Sequence, residues 1–378
     1  LTYPNSVIAY MKIDSEQFSR IPTRGYHVRL LRIKIPTNYD PNTRIYTGLW
    51  DGTFKVAWSD NPAWCFYDIL TNTRYGLGEY IPADQVDKWD LYNIGKYCDD
   101  MVPDGLGGNE PRFTCNMYIQ TREEAYTVIQ NMASIFRGMV YWSGGTISTI
   151  QDAPSPPVAI FSASNVVDGA FIYAGTSIKA RHTTALVTWN DPAVLYRQKV
   201  EYVEDAEGIA RFGIRETEVI AVGATSRGRA NRLGRWILFS EKEETETVAF
   251  SSGLEGTSIR PGDIVQVADP TRAGIRFSGR LASGSTSTIM NFDTPTPLTE
   301  EVAYTLSVIM PFGAVTTLPN GDTETSSLGA IEIGNFSVVE SADYTTITLD
   351  SPLTAIPKAN AMWLISEANL EPQLFRVL

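Results

Sequence analysis

The chain reads as a β-rich α+β protein of several domains. Three observations predict this. Its 378 residues exceed what one hydrophobic core usually organises, at roughly 100–200 residues per domain. Strand-like runs outnumber helical patterns, and the last hundred or so residues are almost wholly strand-like. Pro154-Ser155-Pro156-Pro157, poor in backbone donors, separates two patterned stretches.

Residues 7–13 and 28–35 are β-branched and aromatic-rich with partial alternation, and read as strands. Asp51-Gly52 lies between Tyr46…Trp50 and Phe54…Trp58. That is a two-residue hairpin signal, because Asp-Gly tolerates positive φ angles. Asn61 as a cap and Pro62 in the first turn predict a short helix over 61–72. Residues 83–100 read as helical, with Val86, Trp89, Tyr92, Ile94 and Tyr97 on one side, and the glycine-rich stretch 103–110 reads as a loop. The clearest helix is 122–137. Thr121 and Glu124 form a capping box, and Ala125, Val128, Ile129, Met132, Ala133 and Phe136 make one stripe. Gly138 follows as a C-terminal cap. Residues 139–142 and 146–150 flank Ser143-Gly144-Gly145 as a hairpin.

Beyond the proline segment, strands are predicted at 170–174, 185–190, 196–203, 246–251 and 263–268, with a helix at 227–241. From 275 onward the pattern is strands, with turns at Ser283-Gly284 and Asn320-Gly321 and alternation over Val302–Val308. Ser287-Thr288-Ile289 through Pro297-Leu298-Thr299 weakly echoes Thr346-Ile347-Thr348 through Pro352-Leu353-Thr354. The expected division is 1–58 (β-rich), 59–153 (α+β), 154–270 (β-rich with one helix) and 271–378 (small, β-rich).

Composition narrows function. The net charge of −12 argues against a nucleic-acid-binding surface, which needs clustered Lys and Arg to displace counterions. It fits a soluble acidic surface, or a channel wall past which DNA slides. No apolar run approaches the roughly 18–20 residues of a membrane helix. No basic region followed by an apolar stretch opens the chain, so no signal peptide is expected. A start at Leu1 and an end at Val377-Leu378 suggest a fragment of a longer protein. Cys65, Cys98 and Cys115 are odd in number and lack a C-x-x-C pair. Three reduced, mostly buried thiols are expected.

The residue types that carry catalysis are sparse. His27 and His182 lie far apart, in no metal-ligand spacing, and read as structural or surface histidines. No G-x-S-x-G elbow is present for a nucleophilic serine. Paired carboxylates for sugar cleavage could come from Asp99-Asp100 or Asp104…Glu110, but capping of turns and pairing with Arg112 accounts for them better. Asp104-Gly105-Leu106-Gly107-Gly108 lacks the Lys-Ser or Lys-Thr of a phosphate loop and reads as a shaped loop. Arg227, Arg229, Arg232 and Arg235 share one predicted helix, with Arg232 and Arg235 beside the apolar stripe of Ala230, Leu233, Trp236 and Ile237. Ion pairs with the nearby acidic run 241–246, within or between subunits, are expected for them.

The stretch 47–116 is the most densely punctuated. It carries Trp50-Asp51-Gly52-Thr53-Phe54-Lys55, Asn61-Pro62-Ala63-Trp64, Arg74-Tyr75-Gly76-Leu77-Gly78, Tyr97-Cys98-Asp99 and Gly107-Gly108-Asn109-Glu110-Pro111-Arg112 in that order. Gly144-Gly145-Thr146-Ile147, Trp189-Asn190-Asp191-Pro192, Ser226-Arg227-Gly228-Arg229 and Arg260-Pro261-Gly262-Asp263 follow. No short piece is diagnostic alone. The ordered set, from about residue 45 to about residue 270, resembles the tail-tip host-specificity (protein J) family of lambda-like long-tailed phages and prophages.

The resemblance implies phage tail hub-like β-barrel modules with an α+β insert, assembled as a homotrimer around the tail channel. It implies other tail-tip and tail-tube proteins as partners, and a host surface receptor reached through regions outside this chain. DNA would pass without specific binding. The location implied is the virion tail tip, after assembly in the bacterial cytoplasm. No catalysis, cofactor or metal is expected. Trp50, Gly52, Trp64, Tyr75, Gly76, Gly105, Gly108 and Arg112 are the packing and turn candidates, with Arg232 and Arg235 as interface candidates. The competing readings are a tail-borne glycan hydrolase and a stand-alone carbohydrate- or receptor-binding module.

Overall fold

A computed structural model of the chain describes residues 6, 8–14, 16–21, 23, 25–119, 123–177, 181–269, 272, 276–311, 315–317, 323–325, 331–367 and 373–378. Strands β1 (Ile33–Pro36), β2 (Tyr39–Asp40), β3 (Ile45–Tyr46) and β4 (Phe54–Ala57) form two nested antiparallel hairpins, β1 with β4 and β2 with β3. Asp51-Gly52 therefore does not join the two strands expected to flank it. Arg44, at φ +60°, closes a tighter turn first and pairs β3 back onto β2. Trp50 then leaves the strand direction, buries its ring, and donates from Nε1 to the Thr53 carbonyl at 2.7 Å. The expected strand at 28–35 begins only at Ile33, and Ile8–Ile13 forms none; Val7 lies outside the described residues. Val28, Leu30 and Leu31 are exposed with no neighbouring ladder, and an extended run without a partner has nothing to bond.

Helix α1 (Pro62–Thr71) starts as predicted, with Asn61 Oδ1 accepting from the Ala63 amide at 3.0 Å. Helix α2 (Lys88–Asp99) is capped by Asp87, which accepts from the amides of Trp89 and Asp90. Its buried face is Leu91, Ile94, Gly95 and Cys98, whereas Trp89 is half exposed. The expected stripe was rotated because aromatic residues here also pack from the side, ring on ring. Strands β5 (Met101–Pro103) and β6 (Asn109–Pro111) bracket the glycine-rich loop. Helix α3 (Ala125–Ile135) starts three residues later than expected, after Glu124, which makes no side-chain cap bond; Thr121 of the expected capping box lies outside the described residues. Its buried face is confined to the last turns, at Met132, Ala133 and Ile135.

Gly138 is not the left-handed cap of this helix. That conformation falls to Arg137, at φ +57°. A Cβ on Gly138 would sit 2.1 Å from the Phe136 ring, so glycine is needed there to admit the ring. Strands β7 (Gly138–Ser143) and β8 (Thr146–Gln151) then form the predicted hairpin around Gly144-Gly145. One apolar cluster, centred on Trp64, Phe66, Leu70, Leu91 and Phe136, joins these elements, apart from β5 and β6, from Ile33 to Ile147.

After the proline segment come β9 (Ala159–Ser162), β10 (Ile172–Gly175), β11 (Thr184–Asp191), β12 (Arg197–Glu204), α4 (Ala206–Phe212), β13 (Glu216–Ile220), α5 (Arg227–Glu243), β14 (Glu246–Ala249) and β15 (Ile264–Ala268). Strand β11 is central, antiparallel to β12 and parallel to β13. Helix α5, capped by Ser226, lies across β11 and β12. The two approach so closely that a Cβ on Gly234 would meet Val203 at 2.8 Å. α4 and β13 are additional to the sequence reading: one is a short helix, the other a five-residue strand, Glu-Thr-Glu-Val-Ile, in which two glutamates of low strand preference interrupt the β-branched residues.

The last part holds β16 (Arg276–Arg280), β17 (Ile289–Leu298), β18 (Ala303–Ile309), β19 (Val315–Thr317), β20 (Thr323–Thr325), β21 (Ile331–Ser337), β22 (Ala342–Thr348), β23 (Met362–Glu367) and β24 (Gln373–Arg376). A four-stranded sheet runs β16-β23-β18-β21, over a core built on Trp363, Tyr304, Phe336, Leu306 and Ile365. The two echoing segments are neighbours, since β17 pairs antiparallel with β22 and Ile289 faces Thr348. Gly284 takes the turn conformation expected of it, and Asn320-Gly321 lies outside the described residues. Strand β24 returns to pair with β15, whose other neighbour is β9.

The β-rich α+β class holds. The sheets have two to four strands, and none closes on itself among the described residues, so the implied barrel modules stand as open sheets within one chain. Closure needs first and last strands to pair at a common shear; here β12 and β13 instead flank a single central strand. Among the described residues, no helix is long and apolar enough to cross a membrane, which says nothing of strands.

Candidate functional site

Two polar constructions stand out from the packing. The first locks the nested hairpins onto α1 and α2. Arg44, held by its left-handed backbone, donates to Asp60 at 2.6 Å and to Asp99 at 2.7 Å. Asp99 also accepts from Asn61 Nδ2 at 2.7 Å and from the Tyr46 hydroxyl at 3.2 Å. Burial raises the Asp99 pKa, and the bonds from Arg44 only partly offset it. For Arg44, burial lowers the pKa, but the charges of Asp60 and Asp99 outweigh it and the net shift is upward. Removing one member of such a buried set costs about 3–5 kcal/mol, because the other charge is left unmatched.

An aromatic wedge sits against this lock. Trp64 is fully buried and donates from Nε1 to the Tyr46 hydroxyl at 3.1 Å. Trp50 stacks on Tyr92 at 4.9 Å and meets Trp64, Trp89 and Phe54 edge-on. Lys88 lies over Trp50, Phe54 and Trp89 and donates to the Gly52 carbonyl at 2.8 Å. Tyr75 donates to Asp68, and burial, then this bond, raises its pKa. Gly76 lets the chain fold back over the end of α1, where a Cβ would sit 2.1 Å from the Ile69 carbonyl.

The second construction is a clamp made by α5. Arg229 is 6% exposed and, among the described residues, forms no ion pair with a carboxylate. Its guanidinium donates to four carbonyls: Thr114, Gly223 at 3.1 Å, Val222 at 3.2 Å and Ile135 at 3.4 Å. Burial pushes its pKa down to about 10, so it stays charged at neutral pH. Arg232 pairs with Glu110 at 2.6 Å and donates to the carbonyls of Pro103 and Arg112, both at 3.2 Å. Arg227 pairs with Glu201 at 2.7 Å. Helix α5 thus holds β12 through Arg227, and the β5–β6 hairpin and the end of α3 through Arg232 and Arg229.

The acidic run takes other partners. Glu241 accepts at His182 Nδ1 at 3.0 Å, Lys242 pairs with Glu207 at 2.9 Å, and Glu246 pairs with Arg272. Within the chain, among the described residues, the helix arginines do not pair with that run. Adjacent residues on a helix point to different faces, and the run lies at its far end. Arg235 is exposed and takes no part in the clamp.

The glycine-rich loop is shaped from within. Asp104 Oδ1 accepts from the amides of Leu106 at 2.7 Å and Gly108 at 2.9 Å, with Gly105 at φ +80°. Arg112 pairs with Asp100 at 3.4 Å and lies over the Tyr97 ring at 4.2 Å. Asp99, Asp100, Asp104 and Glu110 are each engaged in structural bonds. His27 meets the Tyr196 hydroxyl at 2.9 Å. Among the described residues, no group of three or more His, Cys, Asp or Glu converges. The arrangement cross-links elements. Of its anchors, Arg44 is not singled out in the sequence, while Asn61 reads only as a cap, Asp99 only as one of a carboxylate pair and Arg229 only as one of four helix arginines. A charged residue in line with an apolar stripe, as Arg229 is with Leu233 and Trp236 four and seven residues on, is the signal that could have flagged it.

Residues 124–281 match the family model described as "Putative phage tail protein". The chain is 44% identical over 283 residues to a "Tip attachment protein J" of Escherichia phage SECphi27, covering 74% of this chain and 24% of that protein. It is 36% identical over 297 residues to a protein of the same name in Escherichia phage SECphi4, covering 78% of this chain and 26% of that one. The chain thus spans about a quarter of the length of these relatives. "The crystal structure of the tail protein from Neisseria meningitidis MC58" aligns over 44% of this chain and 51% of that chain, at 16% identity and a TM-score of 0.32.

Proposed function

Over the stretch it shares with these relatives, the chain belongs to the protein J tail-tip family, and from that premise we propose that it is a non-enzymatic hub segment of the phage tail tip. Its task is to help join the tail tube to the central fibre. It does so as one of three copies around the channel, bearing load while host attachment, made elsewhere in the whole protein, is relayed to DNA ejection. Assembly takes place in the host cytoplasm, and the partners are other tail-tip and tail-tube proteins.

The α5 clamp is the observation that carries this reading. A load-bearing segment needs its units to move together, and Arg229 and Arg232 tie the first unit to the second through backbone carbonyls and one ion pair. The carboxylates that could have served sugar cleavage are spent on such ties. We keep 1–58, 59–153, 154–270 and 271–378 as the working division, with the first two parts sharing one apolar cluster. Light scattering of the purified chain across a concentration series tests the assembly. A mass of three chains is expected; a monomer at every concentration would place trimer formation outside this segment and remove the hub role from it.

A further inference from the structure

A cavity of about 430 Å³ opens where the α3–β7 corner, β13 and α5 meet. That is within the range of natural ligand sites, which are mostly apolar with a few placed polar groups. Its walls include Phe113, Ile150, Val222 and Leu233, together with four arginines and two carboxylates, Asp152 and Glu244. Three of the arginines are already satisfied. Arg229 is bonded to carbonyls, Arg232 to Glu110, and Arg376 to Asp152 at 2.7 Å. Asp152 also accepts from Trp236 Nε1 at 2.8 Å, so its oxygens are taken.

Arg137 is the exception. Its guanidinium lies over the Trp236 ring at 4.7 Å and the Phe113 ring at 5.5 Å. Among the described residues, its guanidinium makes one hydrogen bond, from Nη2 to the Arg232 carbonyl at 3.4 Å. Nε is buried with no partner, and no carboxylate stands within ion-pair distance among the described residues. Burial pushes its pKa down to about 10, so the charge persists at neutral pH. The backbone places it there in the left-handed conformation, which is unfavourable for a non-glycine residue. Such strain, next to a cavity, is the kind kept where a side chain is needed. A stacked guanidinium with free donors is preorganised to receive a planar carboxylate.

We propose that this cavity binds a carboxylate carried on an apolar body, with Arg137 receiving the carboxylate and the apolar wall receiving the body. Two sources share this chemistry: an acidic residue beside a bulky apolar one in a peptide segment of a neighbouring tail protein, or a free monocarboxylate. The site belongs to the purified chain and does not depend on the proposed place in the virion.

The test is ligand-observed NMR titration with three probes: acetyl-Leu-Asp-amide, its uncharged counterpart acetyl-Leu-Asn-amide, and hexanoate. The Asp peptide is expected to bind roughly tenfold or more tighter than the Asn peptide, the worth of one charged hydrogen-bonded contact. Arg137→Met should bring the Asp peptide down to the level of the Asn peptide and leave the latter unchanged. Arg137→Lys, which keeps the charge but loses the planar fork, should fall between. Tighter binding by the Asp peptide than by hexanoate assigns the site to a peptide segment, and the reverse assigns it to a free carboxylate. Equal binding of the two peptides to the unaltered chain overturns the proposal whether or not the variants fold.

Discussion

Asp90 sits partly buried on α2 beside Asp87, with Arg260 and Asp263 facing it. Burial first, then the charge of Asp87, pushes its pKa up to about 6, against Arg260, which lowers it. The sign follows from the native state preferring the neutral acid. Below about pH 4 the group is protonated whether the chain is folded or not. As pH rises from there to about 6 the unfolded chain ionises first, so stability falls, and above 6 the loss is complete. Two units correspond to about 3 kcal/mol at most, and partial exposure reduces this to roughly 1–2 kcal/mol. Asp90→Asn should therefore raise the melting temperature at pH 8 and leave it nearly unchanged at pH 4. An equal shift at both values would mean that Asp90 is not held in its neutral form.

Local chemistry was legible at this scale. Asn61 capping α1 could be read from the chain, because a cap is made by neighbours in sequence. Asp99, Arg44 and Arg229 could not, because their partners lie between 6 and 115 residues away.

Helix α5 shows how an element's surroundings decide what its residues do. Its limits followed from periodicity, yet its arginines face carbonyls and the glutamates Glu110 and Glu201, not the acidic run beside them. Gly228 is the contact point. A Cβ there would come within 2.5 Å of the Asp104 carbonyl and 2.6 Å of Glu110 Oε1. Gly228→Ala should lift the β5–β6 loop from the helix at a cost of about 1–3 kcal/mol. Hydrogen exchange should then show faster exchange at the Asp104 and Gly108 amides, with the β7–β8 hairpin unaffected. Unchanged protection of that loop would show that α5 does not seat it.

The same lesson holds for the nested hairpins. Asp51-Gly52 does turn the chain, but pairing went to whichever strands Trp50, in burying its ring, left free to meet. The stripe assigned to α2 failed for a related reason. Trp89 and Tyr92 are apolar enough to look like core, yet Trp89 packs as the outer layer of the aromatic wedge.

For the whole molecule, the β-rich α+β class and the family were readable, since both rest on features spread over two hundred residues. How the sheets close and where units meet was not readable, because β24 joining β15, or α5 spanning two units, depends on distant packing. This packing is the basis of the proposed function, a segment tied by α5 across its units at the phage tail tip. The most direct test is to label purified virions of the phage that encodes this chain with gold-tagged antibodies raised against it, and to image them by electron microscopy. Gold confined to the distal end of the tail is the predicted result. Gold along the tail shaft or on the capsid, or none on virions that retain their tail tips, would contradict the account.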